Sequence, residues 1–235
     1  MPLSSVMEIL SDIPVSLDTG KVLERMNIRK KREDIGKGIQ ELIEVVLPIA
    51  RPKVVYQVSY VDNKAEDSVE VDGVRFTSRV LRDNLDEVGR VFPFVATCGR
   101  ELDEIDIPAD EFMKCYFLDQ IKEVVLELAM SYLEEHLTRK YELGQISSMQ
   151  PGSLESWPIT QQKELFSIFG NVEDAIGVRL TDKCLMIPVK SVSGVHFPTE
   201  IKFESCQLCL RERCVGRKAP YNPDLALKYS EGVAG

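Results

Sequence analysis

The stretch ADEFMKCYFLDQIKEVVLELAMSYLEEHLTRK, residues 109–140, holds the longest helical pattern in the chain. Its apolar residues recur every three or four positions, the spacing of an amphipathic helix: Phe112, Tyr116, Ile121, Val124, Val125, Leu128, Tyr132 and Leu133. Pro108 precedes this run and Gly144 follows it, which is typical of helix boundaries. At about 1.5 Å per residue the helix exceeds about 40 Å, so we predict that its apolar stripe lies in the core.

The residues before this helix change from a helical to a strand period. We predict a helix capped by Asp18 and a second helix over residues 34–47, ended by Pro48. Residues 53–61 alternate apolar and polar side chains and are predicted to form one strand. Asp72-Gly73 predicts a tight hairpin between two short strands.

The next segment combines a short helix and a strand. Ser78 is expected to cap a helix that runs to about Val88, and residues 90–97 have strand character. Pro93 lies inside that strand and cannot donate a ladder hydrogen bond. We therefore predict that the strand lies at a sheet edge or carries a bulge.

The chain after residue 144 is predicted to fold into short elements. Ser, Gly and Pro are common in residues 145–157, and residues 159–169 read as a short amphipathic helix. Short strands are predicted at 179–180, 184–188, 194–197 and 200–203, followed by a loop-like tail from Cys206. Without β-α-β alternation, this order predicts an α+β fold: a twisted, mainly antiparallel sheet with helices packed around it.

Composition excludes several functional classes. The chain has 235 residues, 44% of them hydrophobic, with a formal net charge of -9. This charge argues against a nucleic-acid partner, which requires a basic face. The longest apolar run, residues 45–50, is far shorter than the roughly 20 residues of a membrane span. The N-terminus lacks a basic segment and a long apolar stretch, so we expect no secretory signal and a cytoplasmic protein without a membrane partner.

Two loops carry the strongest signal for a ligand. The first is SSMQPGS, residues 147–153, and the second is SVSG, residues 191–194. A Pro-Gly pair makes a sharp turn that a ligand can approach closely, and serines add polar contacts. The alternative is that both loops are turns that satisfy only their own backbone. The candidate ligand-binding residues are Ser148, Gln150, Pro151, Gly152, Ser153, Ser191, Ser193 and Gly194.

The order of these motifs resembles a known family. After the long helix come the Pro-Gly loop, a short helix, Leu180-Thr181, Met186, the SVSG loop and Phe197. Over residues 109–198 this pattern resembles the activation domain of cobalamin-dependent methionine synthase. The segment VFPFVATCGREL, residues 91–102, resembles free-standing versions of that domain. The predicted organisation is an N-terminal helical segment (1–50), an activation-like domain (51–204) and a cysteine-containing tail (205–235).

The resemblance implies a specific function. The domain would bind S-adenosylmethionine and dock over the cobalamin of a methyltransferase or corrinoid protein. A one-electron donor such as flavodoxin or ferredoxin would reduce oxidised cobalamin, and the methyl group of S-adenosylmethionine would trap the reduced form. The chain would be an accessory module that supplies proximity and orientation. The sequence contains no set of catalytic side chains with an identifying spacing. We therefore find no self-contained enzyme in it.

The sequence departs from the family pattern at two positions. Ser148 stands where the family has an arginine that holds the ligand carboxylate, and Ser153 stands where it has a tyrosine. A hydroxyl cannot replace two charge-assisted hydrogen bonds, and the loss corresponds to roughly 10- to 150-fold in affinity. Arg179 and Lys190 are other cations in this region, although their spacing does not support a replacement.

The cysteine tail suggests a metal site. Cys206, Cys209 and Cys214 have C-x2-C-x4-C spacing, and Cys184 or His196 is a candidate fourth ligand. An iron–sulfur cluster, a structural zinc ion or three free cysteines are the alternatives. A cluster would make the chain a redox activator that works without S-adenosylmethionine. A third possibility is a non-catalytic protein that binds another small ligand on the same fold.

Three further side chains have alternative roles. Trp157 either stacks on an adenine or corrin ring or anchors the Pro-Gly loop to the core. His196 either belongs to the core or faces the ligand. His136 lies beside two glutamates on the long helix, and we expect it to face solvent.

Overall fold

The computed structural model describes residues 7–28, 33–214 and 216–230. Within these residues the chain has the predicted α+β architecture: a curled antiparallel sheet with helices packed around it. The strands are β1 Met7–Leu10, β2 Lys53–Gln57, β3 Ser59–Lys64, β4 Ser68–Val71, β5 Val74–Thr77, β6 Arg90–Thr97, β7 Ile146–Met149, β8 Arg179–Leu180, β9 Met186–Ile187 and β10 Ser191–Pro198.

The α-helices are α1 Thr19–Arg25, α2 Glu33–Val46, α3 Arg79–Asn84, α4 Phe112–Tyr141, α5 Gln162–Ser167, α6 Val172–Ile176 and α7 Pro223–Ser230. Short 3-10 turns occur at Arg100–Glu104, Ile159–Gln161 and Ser205–Gln207. Among the described residues, no helix is both long and apolar enough to cross a membrane.

Strand β6 lies at the centre of the large sheet. The order is β1-β2-β6-β3-β4-β5, and β10 joins β6 to β7. Strands β8 and β9 form a separate two-stranded sheet. The predicted single strand over residues 53–61 is instead two strands, which break at Val58 and pair with successive parts of β6.

The prediction that Pro93 marks an edge strand is wrong, because β6 has neighbours on both sides. Strand β2 pairs with β6 as far as Phe94, and β3 pairs with it from Val91 onward. The two strands keep one register along β6, and Pro93 lies at the gap between them and opposite Val195 of β10. Its missing N–H group therefore coincides with the interruption of the ladder between β2 and β3.

Helix α4 packs over one face of the sheet, but its first turns do not. The predicted core stripe is wrong for Phe112 and Tyr116, which are 77% and 45% exposed. Buried residues begin at Phe117, whose ring lies against Gly38 of α2. From there the helix contributes the main core: Phe117, Leu118, Ile121, Val124, Val125, Leu126, Ala129, Leu133 and Leu137. The helix ends before Gly144, because Glu142 takes the left-handed conformation at its C-cap.

The opposite face of the sheet is covered by the chain after residue 150. Trp157 and Leu165 pack there with Phe76, Val195 and Phe197. A smaller cluster joins Phe169, Val172, Ile176 and Val178 to the sheet residues Val55 and Val95. The site-bearing segments are therefore held by core packing on the face opposite α4.

The segment after β10 differs from its prediction. Residues 200–203 do not form a strand. The segment follows β7 through two separate hydrogen bonds, from Thr199 N to Gln145 O (2.9 Å) and from Phe203 N to Ser147 Oγ (2.8 Å). The tail is not all loop either, because it ends in α7, whose Tyr229 hydroxyl accepts from Asn84 Nδ2 (3.2 Å).

Candidate functional site

The Pro-Gly loop follows strand β7, but the prediction of a second loop at SVSG is wrong: residues 191–194 are the first half of β10 and pair with β6. Strands β7 and β10 are antiparallel, with Ser148 opposite His196 and Met149 opposite Val195. At Gly194 a Cβ atom would lie 2.5 Å from Met149 O and 3.0 Å from Gln150 Cγ. This contact joins the start of the Pro-Gly loop to the SVSG segment. The structure therefore brings Ser148, Gln150 and Gly194 together.

The Pro-Gly loop is a hydrogen-bonded turn. Gly152 has a φ of +85° and its N–H donates to Trp157 O (2.7 Å). Ser153 N donates to Gln150 O (3.1 Å). Pro151 is buried, whereas Gly152 and Ser153 are exposed. Gly152 and Ser153 are thus exposed to solvent on a turn that two backbone hydrogen bonds and the buried Pro151 hold in place.

The four candidate serines already make hydrogen bonds. Ser153 Oγ donates to Gln150 O (2.7 Å), and Ser191 Oγ donates to Pro188 O (2.7 Å). Ser148 Oγ accepts from Gln150 Nε2 (2.5 Å), and Ser193 Oγ accepts from Gln162 Nε2 (2.9 Å). A hydroxyl has one donor and two acceptor positions. Ser148 is an acceptor in its bond, so its O–H group can still donate to a ligand. Ser193 is 2% exposed and lies on the other face of the sheet, so the structure does not bring it together with Ser148.

Three buried side chains near these loops carry polar atoms without a partner in the described residues: both ring nitrogens of His196, Trp157 Nε1 and Gln162 Oε1. A buried polar group without a hydrogen bond costs about 1–3 kcal/mol, so such atoms indicate places for a ligand or water. His196 lies on the Ser148 side of the sheet, because directly opposed residues share a face. Gln162 lies on the other face with Ser193.

His196 is a neutral ring in this site. It is 2% exposed and stacks on Phe94, with ring centroids 4.6 Å apart. Burial lowers the pKa of His196 to about 4. The neutral imidazole has one donor and one acceptor nitrogen. The core alternative is therefore confirmed for His196, and its ring lies on the same face of the sheet as the candidate residue Ser148.

Gln162 was not predicted as a site residue. Its sequence signal is its place one helical turn before Leu165 and two turns before Phe169, on the apolar side of the pattern. A polar side chain at a core position needs a partner, and here Ser193 provides one.

Two other expectations are resolved by packing. Trp157 is fully buried and meets Phe76 edge to face at 5.9 Å, so it anchors the Pro-Gly loop to the core. The expectation that His136 faces solvent is correct only in part, because its side chain is half-buried. Its Nε2 lies 3.0 Å from the hydroxyl of the buried Tyr56, and burial lowers the pKa of His136. Lys190, a possible replacement cation, is bound by Asp119 (3.1 Å) and Glu123 (3.0 Å).

The predicted metal site is not formed. Among residues 7–28, 33–214 and 216–230, no group of three or more Cys, His, Asp and Glu side chains is placed to hold a metal ion. Cys206, Cys209 and Cys214 belong instead to a loop organised by Arg217. The Arg217 guanidinium donates to Cys206 O (3.0 Å), Cys209 O (3.1 Å), Ala219 O (3.1 Å) and Arg211 O. The Arg217 cation thus lies among the backbone carbonyls of the loop. Separately, Cys206 Sγ accepts a hydrogen bond from Lys218 N (3.4 Å).

Replacing Arg217 with glutamine is expected to loosen the cysteine loop without unfolding the sheet. The loss of hydrogen bonds to a charged group should lower the free energy of local opening of this loop by about 1.5–3 kcal/mol. Hydrogen exchange of residues 205–214 should therefore become at least about tenfold faster. Arg213→Gln, at an exposed position in the same loop, is the matched control and should leave the rate unchanged. Equal exchange in the two variants would contradict the role of Arg217.

Comparison with solved structures supports the resemblance at the level of the fold. The chain is similar to the reactivation domain of MetH, solved bound to AdoHcy, with a TM-score of 0.57 and 15% sequence identity. The match covers 85% of this chain and 81% of that domain. No protein-family model matches the sequence, and no curated protein matches it. The chain therefore shares the fold of a MetH reactivation domain.

Proposed function

We propose that this chain is an S-adenosylmethionine-binding accessory module for the reductive reactivation of cobalamin on methionine synthase or a related corrinoid methyltransferase. The similarity in fold to a domain solved with AdoHcy, over most of both chains, is the observation that carries the proposal. The contact between the Pro-Gly loop and the SVSG segment adds support, because Gly194 allows the two to meet. The ligand-binding part would be residues 51–204, acting in the cytoplasm.

The proposed reaction requires little acid–base chemistry from the chain. A one-electron donor such as flavodoxin or ferredoxin reduces the partner's cob(II)alamin to cob(I)alamin. The methyl group of S-adenosylmethionine then moves to cobalt, and the electron pair of the broken C–S bond stays on sulfur, which gives S-adenosylhomocysteine. The chain would hold and orient the methyl donor, and such positioning accounts for a large part of catalysis.

The residues beside the loops fit a neutral, polar ligand surface. The Ser148 hydroxyl can donate a hydrogen bond. On the same face, the neutral His196 ring lies beside the Ser147 backbone, and neither ring nitrogen makes a well-formed hydrogen bond within the described residues. An adenosine group presents several acceptors together with an amino and hydroxyl groups. Because these protein groups are uncharged, they match the nucleoside part of the ligand and leave its carboxylate to another residue.

Calorimetry of AdoHcy and S-adenosylmethionine with the purified, reduced protein tests the proposal. We expect binding in the micromolar range, and about tenfold weaker binding for Ser148→Ala if its O–H donates to the ligand. Ser167→Ala is the matched control, because the Ser167 hydroxyl donates to Glu164 O within α5. The absence of binding both alone and with a cobalamin-loaded methyltransferase would contradict the proposal.

The partner is tested separately by spectroscopy. Cob(II)alamin on a methionine synthase or corrinoid protein should convert to methylcobalamin when reductant, S-adenosylmethionine and this chain are all present. Omitting the chain should slow the conversion, since proximity of the methyl donor would be lost. Conversion at the same rate without the chain would contradict the accessory role.

A further inference from the structure

Residues 202–218, which include the first part of the C-terminal tail, form a basic segment in an acidic protein. They contain five basic and two acidic side chains, a net charge of +3, whereas the whole chain has -9. The candidate segments, residues 147–153 and 191–194, contain no ionisable side chain. Positive charge for an anionic ligand group must therefore come from outside these segments, and the tail is a concentrated source of it.

Hydrogen bonds fasten the tail to the Pro-Gly loop. Phe203 N donates to Ser147 Oγ (2.8 Å), and the hydroxyls of Ser205 and Ser153 lie 3.3 Å apart. The next residue, Cys206, accepts at Sγ from Lys218 N (3.4 Å). The backbone of Lys218 is thus held beside Cys206, and the residue before Cys206 contacts the exposed Ser153.

Lys218 is the tail cation best placed to act on a ligand. Burial lowers the pKa of His196, the residue opposite Ser148, and the positive charges of Lys218 and Lys202 lower it further. Lys202 is paired with Glu204 (3.4 Å). The exposed ammonium of Lys218 forms no ion pair with the residues that the structure describes. Its charge is therefore available to an anion.

We propose that Lys218 is the anion-binding residue of this ligand site and binds the carboxylate of the S-adenosyl ligand. The inference rests on the proposed function and extends it, because the tail becomes part of the site. Two contacts bring Lys218 to the side of the Pro-Gly loop: its backbone N–H donates to Cys206 Sγ (3.4 Å), and the residue before Cys206, Ser205, contacts Ser153 (3.3 Å). An ammonium–carboxylate hydrogen bond is charge-assisted and stronger than a neutral one.

Two variants and two ligands test this assignment. Lys218→Gln removes the charge, and Lys202→Gln is the matched control, since Lys202 is already paired with Glu204. The ligands are AdoHcy, which has a carboxylate, and 5′-methylthioadenosine, which lacks one. We expect Lys218→Gln to bind AdoHcy about tenfold more weakly and 5′-methylthioadenosine unchanged. Lys202→Gln should change neither affinity by more than about twofold.

The charge itself is tested by rescue and by salt. Lys218→Arg should keep the AdoHcy affinity, and added salt should weaken AdoHcy binding to the wild type more than to Lys218→Gln. Unchanged AdoHcy affinity in Lys218→Gln, or equal losses for both ligands, would overturn the role of Lys218 and leave the proposed function standing. Failure of the wild type to bind AdoHcy both alone and with a cobalamin-loaded methyltransferase would instead overturn the proposed function, and with it this inference.

Discussion

Gly194→Ala is expected to lower the free energy of unfolding by roughly 2–3 kcal/mol. The added Cβ would lie 2.5 Å from Met149 O, 3.0 Å from Gln150 Cγ and 3.1 Å from Phe94 Cε1. The first of these is a backbone atom in a paired strand, so relief requires β7 and β10 to separate. That movement would also displace the Pro-Gly loop, and we expect AdoHcy affinity to fall together with stability.

Gly36→Ala is the matched control for this substitution. Gly36 lies in α2, and its added Cβ would meet nothing within 4 Å. The same chemical change should therefore stabilise the protein by about 0.5–1 kcal/mol, because alanine favours a helix over glycine. Urea denaturation of the two variants and the wild type measures both effects. A Gly194→Ala protein as stable as the wild type would contradict the register in which Val195 faces Met149.

Elements with strong local signals were predictable from sequence. Helix α1 begins after Asp18, whose side chain accepts from Lys21 N (3.1 Å). The hairpin between β4 and β5 turns at Asp72-Gly73, where both residues have positive φ values (47° and 76°). In each case one or two residues satisfy or bend the backbone without help from distant parts of the chain.

Elements that depend on tertiary neighbours were not predictable. The edge rule for Pro93 failed because β10 pairs with one side of β6 while β2 and β3 follow each other in one register along the other side. No local pattern reveals that the ladder is interrupted beside Pro93. Phe112 continues the apolar period of α4 although the core begins at Phe117. Periodicity shows which side of a helix is apolar, but not how much of its length another element covers.

The candidate site shows the same division. Sequence motifs identified both segments, and the structure shows that the end of SVSG, at Gly194, lies beside the start of the Pro-Gly loop, at Met149 and Gln150. The bond from Gln162 to Ser193 and the bonds from Arg217 to the tail carbonyls were not predicted, because they depend on how the chain folds back on itself. The cysteine spacing suited a metal, but spacing does not determine side-chain direction, and the hydrogen bonds of Arg217 and Lys218 organise that loop.

We expect the free energy of unfolding to fall by about 3 kcal/mol between pH 6.5 and pH 4, because His196 takes up a proton more readily in the unfolded chain. Burial lowers the pKa of His196 from 6.5 to about 4; the Ser147 backbone opposes this effect in part, and Lys218 and Lys202 add to it. The unfolded chain therefore binds a proton at pH 5 that the folded chain does not. Stability attributable to the neutral ring is fully present above pH 6.5 and declines as the pH falls toward the folded value.

The measurement is the free energy of unfolding against pH for His196→Phe and the wild type. Phenylalanine can keep the stacking on Phe94 and cannot take up a proton, so the variant should have the shallower pH dependence between pH 6.5 and 4. His196→Gln gives the same comparison if the larger ring disturbs packing. The chain has two histidines, and His136→Gln is the control, because His136 is partly exposed and should contribute less. Identical slopes for wild type and His196→Phe would show that the ring is already solvated, and would remove the buried, unpartnered imidazole from the site.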